Sequence, residues 1–254
     1  MRFTKGHGTG NDFIIVDASA ELNPPLVAAL CDRRFGIGGD GVLRVAQRNG
    51  MYFMDYWNSD GSLAEMCGNG VRVFVRYLLE ERLVSGTTIP VVTRAGVRTA
   101  IIGWEGITVD MGPPRRLGTS TTVLAGHTYE GMAISMGNPH LVCDVDSVAE
   151  LDLSLPPEFD KEFFPEGVNV SFSQRVSADH RLMRVYERGS GETMSCGTGA
   201  CAVGYAALAE PRTGTVTVDV PGGRLRVIVD ERTSWLSGPA VLVARGEIDL
   251  SSLR

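Results

Sequence analysis

The chain predicts an α+β fold of two pseudo-symmetric, β-rich domains, each wrapped around one central buried helix. Three observations lead there. Short alternating or β-branched runs recur throughout, each bounded by Gly, Pro, Asn or Asp, as strands are. Two longer segments are apolar around their whole circumference, the mark of a helix buried on every side. Several motifs of the first half return 127 to 129 residues later.

The strands are expected at Asp12 to Val16, Met51 to Trp57, Thr88 to Thr93, Val97 to Ile102 and Ile107 to Met111. More follow at Leu141 to Val145, Val168 to Phe172, Arg181 to Tyr186, Thr215 to Val220, Arg224 to Val229 and Val241 to Ala244. The chain holds 31 glycines in 254 residues, well above the roughly 7% of an average protein, which supplies the turns this many strands need. A short surface helix is predicted from Pro24 to Arg34, with Asn23 as its cap and Pro24 at its first position. The two buried helices are read at Val71 to Leu79, which lacks internal Gly or Pro, and at Ala200 to Ala209, which stops before Pro211.

Matched spacings point to an internal duplication. Cys67-Gly68-Asn69-Gly70 opens the first buried helix, and Cys196-Gly197-Thr198-Gly199 opens the second 129 residues later. Gly10-Asn11 returns as Gly137-Asn138 after 127 residues. Asn58 precedes Cys67 by nine residues, and Glu187 precedes Cys196 by nine. The domains are therefore set at residues 1–112 and 115–238, with Gly112-Pro113-Pro114 as the linker. The C-terminal strand, within 239–254, is expected to cross back and complete the first domain.

Composition narrows the functional classes. Hydrophobic residues make up 43% and charged residues 21%, and the formal net charge is −6. That balance argues against a nucleic-acid or anionic-membrane surface, both of which favour a basic patch. No apolar run approaches the roughly 18 residues needed to span a bilayer. Met1-Arg2-Phe3-Thr4-Lys5 turns polar and glycine-rich at once, so no secretory leader is expected and the cytoplasm is the default.

Five cysteines cannot all pair in internal disulfides, and their spacing lacks the paired ligands of a zinc site, so no metal is expected. Cys31, Cys143 and Cys201 read as core packing. Cys67 and Cys196 read as chemistry. A cysteine at a helix start faces unsatisfied N–H groups and the positive end of the dipole, a field that favours thiolate. The glycines after each cysteine let a ligand approach the backbone, and such helix starts suit a carboxylate. With both sulfurs at one α-carbon, one thiolate would take the α-proton while the opposite thiol delivers a proton to the other face. Backbone N–H groups would stabilise the charge that develops on the carboxylate. No electron-sink cofactor is then required.

At these residues the sequence resembles the diaminopimelate epimerase family, over essentially its whole length. The likeness covers Gly8-Thr9-Gly10-Asn11-Asp12-Phe13, Asn58-Ser59-Asp60-Gly61-Ser62 and Glu65-Met66-Cys67-Gly68-Asn69-Gly70. It continues through Gly137-Asn138-Pro139-His140, Gly167-Val168-Asn169, Glu187-Arg188-Gly189-Ser190-Gly191-Glu192-Thr193 and Cys196-Gly197-Thr198-Gly199. The resemblance implies interconversion of LL- and meso-diaminopimelate for lysine and peptidoglycan precursors. It also implies two similar domains closing over the substrate, neither metal nor pyridoxal phosphate, and a homodimer.

Carried over by motif, Cys67 and Cys196 are the acid/base pair, and Gly68, Asn69, Gly197 and Thr198 hold the reacting carboxylate. Asn58, Asn169 and Arg188 would grip the distal carboxylate, with Arg188 supplying a charge-assisted fork. Asn11 and Asn138 would bind around the ammonium and carboxylate groups. His140 and Glu187 would tune the thiols' protonation, and Glu187 would also meet a substrate ammonium. One departure stands out: after Gly36-Ile37-Gly38-Gly39-Asp40 many members carry Gln, and here Gly41 replaces it.

Each supporting residue also has an ordinary reading. Asn11, Asn58 and Asn138 sit where asparagine commonly makes turns. His140 could simply start a strand, and Arg188 beside Glu187 could be a solvated ion pair worth under about 1 kcal/mol. Two rival functions follow. A proline or hydroxyproline racemase also uses two cysteines, but typically carries His where this chain has Asn69, and its substrate has no distal carboxylate for Arg188. A non-catalytic amino-acid-binding protein of the same fold would show no α-hydrogen exchange.

Overall fold

The computed structural model describes residues 1–104 and 106–253. It divides into two compact units, Met1–Val109 with Gly238–Arg254, and Asp110–Ser237.

In the first unit, eight strands follow one another in space: Val241–Glu247, Arg2–Gly8, Asn11–Val16, Gly41–Arg48, Met51–Asn58, Thr88–Thr93, Gly96–Gly103 and Gly106–Gly112. The joins run antiparallel, antiparallel, parallel, antiparallel, parallel, antiparallel, antiparallel. Parallel neighbours need a crossover rather than a tight turn, and both parallel joins are bridged by helices. Helix α1 (Pro24–Cys31) spans the first and helix α2 (Gly68–Glu80) the second. Helix α2 touches the first and the seventh strands of the order, Val241–Glu247 and Gly96–Gly103, so the sheet curls around it. Its Val71, Val73, Phe74, Val75 and Leu78 are fully buried, each worth about 1.5–3 kcal/mol of hydrophobic burial.

The second unit repeats this order. Arg115–Leu124, His127–Ser135, Pro139–Val145, Asn169–Ser177, His180–Glu187, Gly214–Val220, Gly223–Val229 and Ser234–Gly238 succeed one another with the same sequence of joins. Helix α3 (Gly197–Ala207) bridges its second parallel join, as α2 does in the first unit. Two short strands are additional: Glu158–Phe159 on Arg115–Leu124, and Gly191–Thr193 on His180–Glu187. Helix α3 buries Ala200, Cys201, Ala202, Val203 and Gly204 against the strands. In the strand pattern, Val241–Glu247 holds the place in the first unit that Arg115–Leu124 holds in the second.

Helix α1 differs from expectation at its end. Asn23 caps it as predicted, accepting from the Leu26 N–H at 2.9 Å, with Pro24 first. It stops at Cys31 rather than Arg34, because the Asp32 carboxylate accepts from the N–H groups of Arg34 and Phe35, both at 2.7 Å. That local turn competes with the next helical hydrogen bonds and wins. One face of α1 is also less of a surface than expected, with Val27, Leu30 and Cys31 buried in a cluster with Ile14, Val16, Ala20 and Val42. Among the described residues no helix is long and apolar enough to cross a membrane.

Candidate active site

Both predicted cysteines cap their helices. Cys67 is the N-cap of α2, in extended backbone, and its sulfur accepts from the Gly70 N–H at 3.4 Å. Cys196 is the N-cap of α3, and its sulfur accepts from the Gly199 N–H at 3.4 Å. A sulfur here does the work an N-cap oxygen ordinarily does, satisfying a third-position N–H that the helix leaves unpaired. Each sulfur is thereby held by the backbone N–H of its helix.

In the first unit Asn11, Cys67 and Asn69 converge. The Cys67 Sγ donates to Asn11 Oδ1 at 3.5 Å, and Asn69 Nδ2 donates to the same oxygen at 3.3 Å. Asn69 is fully buried, and Gly68 is buried in the first turn. Asn58 stands apart at the end of Met51–Asn58, where its Nδ2 donates to Ser62 Oγ at 3.0 Å. That bond shapes the loop leading toward Cys67. Arg94, just after strand Thr88–Thr93, pins that loop by donating to the carbonyls of Ala64 on it and Tyr56 before it, at 3.0 and 2.7 Å.

In the second unit a hydrogen-bonded chain ends at the other sulfur. His140 Nε2 lies 3.3 Å from Asn138 Oδ1, Asn138 Nδ2 is 3.4 Å from Thr198 Oγ1, and that hydroxyl is 3.5 Å from Cys196 Sγ. Gly197 is buried in the first turn of α3. The duplication thus extends to side chains. Asn11 meets the residue two beyond Cys67, and Asn138 meets the residue two beyond Cys196.

Burial sets the protonation of this chain. His140 is completely buried, which pushes its imidazole down to about 3 and keeps it neutral at neutral pH. With Nε2 as donor to Asn138, Nδ1 is left buried without a partner among the described residues. Burial also pushes the Cys196 thiol well above the ordinary cysteine range, and the Glu187 carboxylate beside it pushes the same way. The Thr198 hydroxyl and the Gly199 N–H pull downward and are outweighed. At Cys196 burial and the nearby Glu187 carboxylate therefore work against the thiolate expected at a helix start. Burial thus favours the protonated form of Cys196.

Glu187 is itself held by the Thr193 hydroxyl, a partner that sequence reading passed over. Asn169 and Arg188 are tied together: Asn169 Oδ1 accepts from the Arg188 N–H at 3.0 Å, while Asn169 Nδ2 donates to the Pro139 carbonyl at 3.1 Å. The Arg188 guanidinium is exposed and donates to the Glu166 carbonyl at 2.6 Å. Its aliphatic stem crosses Gly167, whose φ is +85° and where a Cβ would stand 2.8 Å from Arg188 Cδ. Cys31 and Cys143 are buried, with thiols pushed up to about 12 chiefly by desolvation, and Cys201 is fully buried. They pack the core, as read.

A family model described as diaminopimelate epimerase matches residues 3–117 and 132–249. The chain is 50% identical to a diaminopimelate epimerase of Thermobifida fusca over 274 residues, covering 100% of both chains. It is 45% identical to that of Mycolicibacterium smegmatis over 282 residues, covering 98% of this chain and 97% of the relative. The chain belongs to the diaminopimelate epimerase family. Solved structures of lower identity share the fold. A hydroxyproline epimerase from Agrobacterium vitis superposes with a TM-score of 0.75 at 13% identity, covering 97% of this chain and 91% of that one. A PhzF-family phenazine biosynthesis protein from Enterococcus faecalis gives 0.70 at 15% identity, covering 98% of each chain. The family's fold, two pseudo-symmetric β-rich halves around buried helices, is the one found here.

Proposed function

We propose that this protein is a cofactor-independent isomerase that interconverts LL- and meso-diaminopimelate, in lysine and peptidoglycan-precursor biosynthesis. The α-proton moves between Cys67 and Cys196, one sulfur serving each face of the α-carbon. The observation that carries this reading is the matched capping of two helices by two cysteine sulfurs, each on a third-position N–H at 3.4 Å, in a chain of this family.

The residues divide the work as follows. N–H groups at the starts of α2 and α3 receive the reacting carboxylate and the charge it gains as the carbanion forms. Asn69 and Thr198 flank those N–H groups. Each sulfur is thiol for one substrate isomer and thiolate for the other: when Cys196 is the base, the Glu187 carboxylate beside it takes its thiol proton, and the Cys67 thiol facing Asn11 Oδ1 is the donor. Neutral, buried His140 acts through Asn138 and Thr198 on the Cys196 sulfur. Asn11 and Asn138 receive the ammonium and carboxylate groups around the reacting carbon. Arg188, with Asn58 and Asn169, receives the distal carboxylate after its guanidinium leaves the Glu166 carbonyl. The family resemblance supports a homodimer in the cytoplasm.

Chiral chromatography after incubation with LL-diaminopimelate, L-proline and trans-4-hydroxy-L-proline tests this reading. Epimerisation of the first alone supports it. Turnover of either imino acid, or of none of the three by reduced protein, contradicts it.

A further inference from the structure

Asn11 could present either its oxygen or its NH2 group toward Cys67, and the two orientations have opposite effects on the sulfur. An oxygen accepts the S–H and keeps the proton there. An NH2 group donates to the sulfur and favours thiolate. On the far side of the amide stands Asp40, whose Oδ2 is 2.8 Å from Asn11 Nδ2. A carboxylate only accepts, so the nitrogen must face it and Oδ1 must face Cys67 and Asn69, at 3.5 and 3.3 Å.

Asp40 is in turn fixed from three directions. Its Oδ2 also accepts from the Asp12 N–H at 3.1 Å, and its Oδ1 accepts from Arg33 Nη2 at 2.8 Å. Arg33 forks onto both oxygens of Asp12, at 3.0 and 2.7 Å, and Lys5 Nζ stands 2.6 Å from Asp12 Oδ2 while donating to the Gly38 carbonyl. Burial pushes the Asp12 carboxyl up, but the hydrogen bonds from Arg33 and Lys5 outweigh it and hold it at about 2. Asp12 therefore keeps its charge, and with it the fork that holds Arg33 against Asp40, well below neutral pH.

We infer that Asp40 is a positioning residue for the reaction: braced by Arg33, it locks the Asn11 amide with its oxygen on the Cys67 thiol. Asp40 acts through Asn11 and touches no reacting atom. The inference rests on the proposed acid/base role of Cys67, and the test below separates the two.

The probe is iodoacetamide, with the Cys67 peptide quantified by mass spectrometry across a pH series, alongside turnover of LL-diaminopimelate. Asp40→Ala frees the amide to present its NH2 group, so Cys67 should alkylate about tenfold faster at pH 7, the worth of one hydrogen bond, and turnover should fall. Asp40→Asn removes the charge but keeps an oxygen for Asn11 Nδ2, so it should alkylate at nearly the wild-type rate and retain turnover. Asp40→Leu, close to Asp in shape and without an acceptor, replaces Asp40→Ala if the latter fails to fold. An unchanged rate in Asp40→Ala or Asp40→Leu overturns the inference. Equal acceleration in Asp40→Asn also overturns it, because loss of charge alone would then account for the effect. A wild-type enzyme inert toward diaminopimelate, with the alkylation pattern intact, would remove the substrate reading and leave Asp40 in its place.

Discussion

The Gly70 N–H points at the Cys67 sulfur across 3.4 Å, and the Gly199 N–H points at the Cys196 sulfur across the same distance. Two residues 129 positions apart in sequence are thus held by one local device, a helix that uses its own first turn to aim a thiol. Because the device is a cap, it separates stability from catalysis and makes the two roles individually measurable.

Cys67→Ser and Cys196→Ser should each lose activity by at least the roughly 10²–10⁴ of one acid–base step, because a hydroxyl is far less acidic than a thiol. Serine is a preferred N-cap, so both variants should keep their helices. Cys→Ala at either position should instead cost about 0.5–2 kcal/mol for the lost cap. Urea denaturation beside activity assays reads both. A serine variant with near-normal turnover would remove that cysteine from the mechanism.

His140 makes stability depend on pH. Its folded pKa, about 3, lies below the ordinary histidine value of 6.5. The unfolded chain therefore binds the proton more readily, and stability falls as pH drops below about 6.5 toward 3. Between pH 7 and 5 this one group should account for about 2 kcal/mol of lost stability. Denaturation of wild type and His140→Gln at both pH values checks it. The variant should be less stable at pH 7 yet lose about 2 kcal/mol less on acidification. Parallel losses in both proteins would show that the imidazole is not buried neutral.

Gly41 illustrates what a motif comparison conceals. Many relatives by resemblance carry Gln there, and restoring it looks like a gain of substrate contact. In this fold a Cβ at Gly41 would stand 2.4 Å from the Trp57 carbonyl oxygen and 2.7 Å from Tyr56 Cε2. The partner strand Met51–Asn58 therefore closes over the position. Gly41→Gln should destabilise the protein by about 1–3 kcal/mol, as overpacking does, with no improvement in kcat/KM. Thermal melts and steady-state kinetics decide it, and a variant with wild-type stability would contradict this packing.

Much of this was legible in the residues, and the misses have physical causes. The strand Thr88–Thr93 and the starts of α1 and Val241–Glu247 fall where alternation, Asn23-Pro24 and Gly238-Pro239 put them. Strands Arg2–Gly8 and Arg115–Leu124 were passed over because they are rich in Gly, Arg and Thr and half-exposed, so hydrophobic alternation is weak. Gly41–Arg48 was missed because its polar end, Gln47-Arg48, interrupts the pattern. Among site residues, Cys67 and Cys196 announce themselves by the glycines that follow them. Asp40 does not, since its role depends on which atom of Asn11 it faces. Its position in Gly38-Gly39-Asp40, where a glycine at φ +81° turns the backbone, was the only available signal. The depth of burial at Cys196 and His140 is set by long-range pairing, with His140 opposite Asn169 on the neighbouring parallel strand. No local pattern encodes that.

The proposed transfer of a proton between a thiol and a thiolate at one carbon is most directly read in heavy water. The reduced enzyme is incubated with LL-diaminopimelate in D2O, and α-carbon label is followed by NMR and mass spectrometry in substrate and product at early times. The account predicts deuterium at the inverted carbon of the meso product from the first turnover, and no such label with either cysteine replaced by alanine. Meso product that keeps its original α-hydrogen, or no α-exchange at all by active-site-titrated protein, would contradict it.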